Sequence, residues 1–106
     1  LGRMDEAMEI YRTALKGDPK NPRYHSNVAV ALGMNGDHEG ALREVQRALA
    51  FDPGFVPAYV NAGGFLQSLG RIPEAIQMLE KAVELDPTNT GAERILGDLR
   101  RLPVEK

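Results

Sequence analysis

Apolar and small residues recur along the chain in three stripes whose spacing fits one face of an α-helix. The stripes comprise Ala7, Met8, Tyr11, Ala14 and Leu15, then Ala41, Leu42, Val45, Ala48 and Leu49, then Ala75, Ile76, Leu79, Ala82 and Val83. An Asp-Pro dipeptide follows each stripe, at residues 18–19, 52–53 and 86–87. Because proline cannot continue the helical hydrogen-bond ladder, the pattern predicts three amphipathic helices that stop there.

Three further helices are predicted between these stripes, at about residues 22–34, 56–69 and 90–102. Their inward-facing positions are Val28, Ala29 and Leu32, then Tyr59, Ala62, Gly63 and Leu66, then Leu96, Gly97 and Leu99. Gly36 and Gly70 mark turns, because glycine permits the left-handed backbone that closes a helix. No segment alternates with the strand period, so the sequence predicts six helices and no sheet.

The stripes, turns and breakers repeat at one fixed interval, the one that separates Gly2 from Gly36 and Gly36 from Gly70. Alanines at positions 7, 41 and 75 and at positions 14, 48 and 82 keep the same interval. A fixed period of this length predicts a stack of helical hairpins, in which each hairpin buries its apolar face against its neighbours. The small residues in step allow the helix backbones to approach closely.

Composition narrows the class of partner. Of the 106 residues, 42% are hydrophobic, and 13 basic against 15 acidic residues give a net charge of -2. This near balance argues against nucleic acid, which calls for a clearly basic surface. No apolar run approaches the ~20 residues that span a bilayer, so membrane insertion is not expected. The chain has no cysteine, which excludes disulfides and thiolate metal sites. The expected compartment is the cytoplasm, with the periplasm as the alternative.

The small residues in step, the glycine at each hairpin turn and the proline that closes each unit resemble the tetratricopeptide repeat. The resemblance implies an all-α fold, a right-handed superhelical solenoid of antiparallel helix hairpins. In it, the first helix of each hairpin lines a concave groove. Residues 1–106 then form one domain: 1–21 are the second helix of a truncated repeat, 22–55 and 56–89 are full repeats, 90–102 are a C-terminal capping helix that Pro103 stops, and 103–106 are a tail.

The resemblance places Asn27 and Asn61, which are one repeat apart, where the first helices face the groove. An asparagine amide can donate to and accept from a peptide backbone, so it recognises an extended chain with little sequence preference. This ladder ends at the next equivalent position, Ile95. Three arginines, Arg23, Arg94 and Arg101, are predicted to border this surface and to pair with an anionic group of the ligand, and Arg23 and Arg94 are assigned to the groove itself. The predicted groove is completed by Val30, Val60 and Gly64.

Chaperone-binding members of the resembled family hold two carboxylates with lysines and arginines beside groove asparagines. Here Ser26, Val30, Val60 and Gly64 occupy positions where such a clamp requires Lys or Asn. The two asparagines match that arrangement and the lysines do not. The sequence therefore favours recognition of the peptide main chain over a two-carboxylate clamp. The alternative, in which each asparagine is only an exposed helix residue, stays open.

No motif of an enzyme or metal site is found in the sequence. His38-Glu39 begins like a zinc-protease helix, but the position of the required second histidine is Leu42. The phosphate-binding loop, the dinucleotide fingerprint and the Gly-x-Ser-x-Gly elbow are all missing. The prediction is a non-catalytic chain without a cofactor or metal ligand.

These features predict a protein–protein interaction scaffold that binds an extended peptide or a helix in a concave groove. One alternative is a substrate-selecting or regulatory arm of a larger enzyme such as a glycosyltransferase. Another is a self-assembly module. Self-association would use the apolar face of the first helix, which lacks a covering helix and includes Met8, Tyr11 and Leu15.

Overall fold

The computed structural model describes residues 2–102, which form six α-helices and contain no strand. The helices are α1 (Gly2–Gly17), α2 (Pro22–Met34), α3 (His38–Phe51), α4 (Val56–Ser68), α5 (Ile72–Leu85) and α6 (Thr90–Arg100). The predicted all-α fold with six helices is confirmed. The last helix ends at Arg100, slightly before the predicted residue 102. Pro103, the predicted helix stop, and the predicted tail at 103–106 lie outside the described residues.

Local side-chain chemistry explains where the helices begin and end. Asn21, Asp37 and Asn89 cap α2, α3 and α6, because the side-chain oxygen of each accepts a hydrogen bond from a backbone N–H in the first turn. Prolines occupy the first turns of α2, α4 and α5, where a missing N–H removes no helical hydrogen bond. Gly36 and Gly70 have φ of 87° and 76°, which confirms the predicted left-handed turns inside the two complete hairpins.

The core runs through the stack as two groups of buried side chains that share neighbours. The first group lies between α2, α3 and α4, and its buried members are Ala29, Ala41, Val45, Ala48, Ala58 and Ala62. The second lies between α4, α5 and α6, and its buried members are Leu66, Ala75, Leu79, Ala82, Ala92, Leu96 and Leu99. The molecule is accordingly elongated, measuring 44 × 29 × 21 Å. Each hairpin packs on the next, as expected for a solenoid.

The helix α1 is covered less completely than its counterparts. Ala41 and Ala75, at the equivalent positions of α3 and α5, are 0% exposed, whereas Ala7 is only half-buried. The helix packs against α2 on one side. Within residues 2–102 no first helix of its own hairpin covers the other side. The difference in burial therefore follows from the missing neighbour and not from a change in residue type.

Candidate peptide-binding groove

Six of the seven residues predicted to form the groove lie on α2 and α4, the first helices of the two complete hairpins. Arg23, Asn27 and Val30 belong to α2, and Val60, Asn61 and Gly64 belong to α4. The two helices contact each other directly, so the fold brings these six residues to one region. Arg94, the seventh, is exposed on α6, which packs against α5. The neighbours of Arg94 on α6, Ile95 and Leu96, belong to the same core group as Val60 of α4.

A hydrogen bond between the two helices involves one of the predicted asparagines. The Nδ2 atom of Asn61 donates to the Oγ atom of Ser26 at 3.0 Å. Ser26 is buried, with 4% of its surface exposed, and Asn61 is half-buried. One amide N–H of Asn61 thus holds the two hairpins together, while its carbonyl oxygen and second N–H stay available to a ligand. The spacing of the asparagines did not reveal this bond, because it depends on the helix that lies opposite.

The polar groups around this bond differ in what they offer a ligand. Asn27 occupies the place on α2 that Asn61 occupies on α4, and it is also half-buried. Ser26 is committed to Asn61 and buried, so a ligand cannot reach it readily. Arg23 is exposed at the start of α2. The region therefore presents two amides and one cation, a set suited to a peptide main chain and one anionic group.

The apolar positions of the groove differ in how far they are exposed. Val30 is 38% exposed, whereas Val60 is half-buried because it packs against the second core group. At Gly64 a Cβ atom would meet nothing within 4 Å, so no neighbour requires glycine there. Gly64 therefore leaves open space on the surface of α4.

A buried polar cluster at the α1–α2 connection was missed by the sequence analysis. The Nδ1 atom of His25 lies 3.0 Å from Glu44 Oε1, and its Nε2 donates to the carbonyl oxygen of Pro19 at 2.7 Å. The carboxylate of Glu44 also bonds Arg47, and the imidazole stacks on Phe51 with centroids 5.6 Å apart. All groups of this cluster have partners within the chain, so the cluster has a structural role.

The internal repeat could have predicted one interaction of that cluster, the bond from His25 to the carbonyl oxygen of Pro19. Tyr59 lies one repeat after His25, and its hydroxyl donates to the carbonyl oxygen of Pro53 at 2.7 Å. Pro53 in turn lies one repeat after Pro19. In both cases the first helix of a hairpin is therefore tied to the loop that precedes it. The residue equivalent to Glu44 is Met78. A tyrosine side chain has one polar atom, its hydroxyl oxygen, whereas the imidazole has two nitrogens, so Tyr59 needs no second partner at that place.

A cleft of about 280 Å³ lies between α1 and α2. Its apolar lining comes from Met4, Ala7 and Tyr11 of α1 and from Val30, Ala31 and Met34 of α2. Of the residues predicted for self-association, Tyr11 lines this cleft, while Met8 and Leu15 are half-buried elsewhere on α1. The predicted groove residue Val30 faces the same cleft. The cleft therefore adjoins the predicted groove through Val30 and lies at the α1 end of the described helices.

The described residues contain neither a metal-binding cluster nor a membrane-spanning helix. No group of three or more His, Cys, Asp or Glu side chains in residues 2–102 is placed to hold a metal ion. None of the helices in this part of the chain has the length and apolar character needed to cross a membrane.

Comparison with known proteins gives two matching family models. A model described as "Tetratricopeptide repeat" matches residues 32–99, and one described as "TPR repeat" matches residues 1–36. Among curated proteins, the Small glutamine-rich tetratricopeptide repeat-containing protein 2 of Mycosarcoma maydis is 40% identical over 83 residues, or 78% of this chain. The chain covers 24% of the length of that relative.

Solved structures of similar fold include two that contain a peptide. The first TPR of Spaghetti (RPAP3) bound to the HSP90 peptide SRMEEVD superimposes with a TM-score of 0.88 and 28% identity, covering 94% of this chain and 79% of that one. The second TPR domain of human RPAP3, in complex with the HSP70 peptide SGPTIEEVD, gives 0.85 and 26%, covering 95% and 84%. Both matches extend over nearly all of the six helices described above.

Proposed function

Since this chain belongs to the tetratricopeptide repeat family, we propose that it is an interaction module that binds an extended peptide of another protein between α2 and α4. The observation that carries the proposal is the pair of asparagines at equivalent positions of two helices in contact. Each amide offers both a donor and an acceptor to a peptide main chain. The similar domains of RPAP3, which hold HSP90 and HSP70 peptides, support the same class of ligand.

The mode of binding that we propose relies on the peptide main chain. Asn27 and the free carbonyl oxygen of Asn61 bond successive peptide groups, and the bond to Ser26 fixes the orientation of Asn61 before the ligand arrives. A preoriented side chain loses less conformational freedom on binding, which favours affinity. The open surface at Gly64 admits a side chain of the peptide, and Arg23 attracts an anionic one.

A further part of the proposal concerns the contribution of the C-terminal carboxylate of the peptide to its affinity. A clamp for two carboxylates requires cations on α2 and α4, and the side chain of Ser26 is engaged in an internal bond while Val60 packs on the core. Arg23 is the cation at this surface of α2, and Arg94 lies on α6. We therefore propose that the free C-terminal carboxylate of a peptide contributes little to its affinity.

A peptide-binding assay tests the proposal. Fluorescence polarisation would measure SRMEEVD, its C-terminal amide and a panel of unrelated extended peptides against the chain. Asn27→Ala with Asn61→Ala should weaken the best binder by about tenfold or more, the equivalent of ~1.4 kcal/mol for the lost hydrogen bonds. Gln77→Ala, which removes an exposed amide from the second helix α5, is the matched control. Equal affinity of the asparagine double variant and the control would contradict the groove.

Amidation separates the two modes of binding. If the peptide main chain is recognised, the amide of a bound peptide binds within a few-fold of the free acid. If instead the amide loses most of its affinity, a carboxylate clamp operates and the main-chain mode is wrong. This comparison uses one chain and two peptides, so it does not depend on the folding of a variant.

Two wider roles stay proposals. The chain spans 24% of the curated relative, so the activity of a longer protein is not settled by this domain, and an arm that selects substrates for an enzyme such as a glycosyltransferase is the alternative. Self-association is the second candidate, and the half-buried Ala7 and Tyr11 on α1 favour it. The near balance of charge supports a protein ligand over a nucleic acid in either role.

A further inference from the structure

The contact between Ser26 and Asn61 has an equivalent one repeat further along the chain. Ser26 lies one repeat before Val60, and Asn61 lies one repeat before Ile95. Because equivalent residues occupy equivalent places in a stack, Val60 of α4 and Ile95 of α6 stand as Ser26 and Asn61 stand on α2 and α4. The first junction carries a hydrogen bond of 3.0 Å, whereas the second carries two aliphatic side chains. The same place in the groove therefore changes from polar to apolar between its two junctions.

The two aliphatic side chains are only partly used by the core. Val60 and Ile95 both pack against the second core group, and both are half-buried, so each keeps part of its surface open. Gly64 lies one helical turn after Val60 on the same face of α4, and a Cβ there would meet nothing within 4 Å. The register thus brings Val60, Gly64 and Ile95 together as one apolar surface with open space above it. We name this surface the apolar subsite.

The chemistry of the apolar subsite restricts what part of a peptide can lie on it. The side chains of Val60 and Ile95 have no hydrogen-bonding atom, so a peptide group pressed against them would lose water without gaining a bond. Such a loss weakens binding by about tenfold or more. The helix α4 (Val56–Ser68) contains no charged residue, so a charged side chain of the ligand has no opposite charge on this helix. The occupant that fits is an aliphatic side chain, which buries its surface and leaves no polar atom unpaired.

We propose that the apolar subsite holds one aliphatic side chain of the same peptide whose main chain Asn27 and Asn61 bind. Val60 and Ile95 then determine specificity, because they confine main-chain recognition to the α2–α4 junction and select a leucine, isoleucine or valine at the α4–α6 junction. The subsite depends on the function proposed above, since it extends the same groove by one repeat. The ligand class becomes an extended peptide with an aliphatic residue beside a stretch of unrestricted sequence.

The spacing of the helices gives the distance between the two parts of the ligand. Packed helices lie about 8–10 Å apart, and an extended peptide advances about 3.3 Å per residue. A peptide that crosses the first helices therefore advances by about three residues from one helix to the next. The aliphatic residue should accordingly stand within about three residues of the peptide group that Asn61 binds. Its two neighbours in the peptide point away from the subsite, because side chains of an extended strand alternate in direction.

Fluorescence polarisation with designed peptides tests the proposal on the unmodified chain. The host is a labelled peptide of serine and threonine with capped ends, long enough to reach Asn27 from the apolar subsite in either direction. With leucine at its centre the peptide should bind about tenfold more tightly than with serine there. Asparagine at the centre should give no such gain, because its amide would lie unpaired on the subsite.

A paired substitution tests whether the two aliphatic residues cause this preference. Val60→Ser with Ile95→Asn gives the α4–α6 junction the same two residues as the α2–α4 junction. The gain from leucine should then fall to within about twofold, while the serine host should bind at least as tightly as it binds the wild type. Ile76→Asn with Val83→Ser is the matched control, because it makes the same replacements on α5 at two half-buried positions of the same core group. The control should keep the full preference for leucine.

A milder variant protects the test against loss of fold, which circular dichroism and urea unfolding would reveal. Val60→Thr keeps the size of valine and exchanges one methyl group for a hydroxyl. It replaces the paired substitution if the latter unfolds, and it should lower the gain from leucine by about threefold.

The outcomes separate the apolar subsite from the groove itself. If leucine gives no gain with the wild type, or if the gain survives substitution of Val60 and Ile95, the apolar subsite is wrong. The main-chain groove stands in that case, provided that Asn27→Ala with Asn61→Ala still weakens the peptide. If no extended peptide binds the wild-type chain, both proposals are overturned.

Discussion

Gly63 and Gly64 are adjacent in α4, yet the structure assigns them opposite responses to the same substitution. A Cβ at Gly63 would lie 2.7 and 2.9 Å from the Cγ and Cδ2 atoms of Leu79. A Cβ at Gly64 would meet nothing within 4 Å. Leu79 is 0% exposed and packed in the second core group, so it cannot move aside cheaply. We therefore expect Gly64→Ala to stabilise the protein and Gly63→Ala to destabilise it.

The magnitude follows from two terms. Replacing a glycine inside a helix by alanine gains about 0.5–1 kcal/mol at either position, because the unfolded chain loses conformational freedom. Only Gly63→Ala adds the cost of overpacking, typically about 1–3 kcal/mol. The helix term is common to both variants and cancels in their difference. The free energies of unfolding of the two variants should thus differ by about 1–3 kcal/mol, at least ~4 °C in thermal midpoint for a domain of this size.

Urea unfolding followed by circular dichroism measures the free energy of unfolding of both variants. A third variant tests the contact between residue 63 and Leu79 by itself. Leu79→Ala removes the side chain that the new methyl group would strike, at its own cost of about 2–5 kcal/mol for the cavity. In that background Gly63→Ala should become stabilising, because it gains helix propensity and partly fills the space. If Gly63→Ala changes the free energy of unfolding equally with and without the Leu79 side chain, the close contact between α4 and α5 is not the reason that residue 63 must be glycine, and the reasoning fails.

Three further predictions concern stability and are checked by the same unfolding measurement. Glu44→Met leaves the Nδ1 atom of His25 without its partner and should cost about 1–3 kcal/mol of unfolding free energy. Adding His25→Tyr recreates the Tyr59 and Met78 combination of the next hairpin and should recover most of that loss. A double variant no more stable than Glu44→Met would count against this. Ala48→Leu inserts a large side chain at a position that is 0% exposed and should cost about 1–3 kcal/mol, and an unchanged midpoint would refute the close packing there. Asn89→Ala removes the acceptor for the backbone N–H of Ala92 and should cost about 1 kcal/mol, while no change would mean that solvent satisfies the N–H equally well.

Much of the fold was predictable because its determinants are local. The ends of helices depend on prolines, glycines and capping side chains that act within a turn, and Gly36 and Gly70 adopt the expected left-handed backbone. The inward positions follow from the helical period, and Ala62 and Leu96 are buried as predicted. The register of the hairpins follows from the fixed interval of the repeat, because equivalent residues must occupy equivalent places in a stack.

The candidate site was predictable only in part. The sequence placed Asn27 and Asn61 on the first helices, and the structure brings those helices into contact. It did not reveal that Asn61 donates to Ser26, since the partner lies on another helix, far away along the chain. Nor did it separate Val30, which is exposed, from Val60, which packs on the core.

Helix positions and hairpin register were determined by the sequence alone, because each depends on spacing within one helix or on a period that every repeat shares. Only the tertiary structure decided which polar side chains are used up inside the protein and which remain for a ligand. The repeat alone does not distinguish the roles of His25 and Asn61 from those of the residues one repeat away. Each role depends on the polar group that a neighbouring helix places at 3.0 Å, Glu44 for His25 and Ser26 for Asn61. Hydrogen bonds act over such short distances that packing between helices, rather than periodicity, selects the partner.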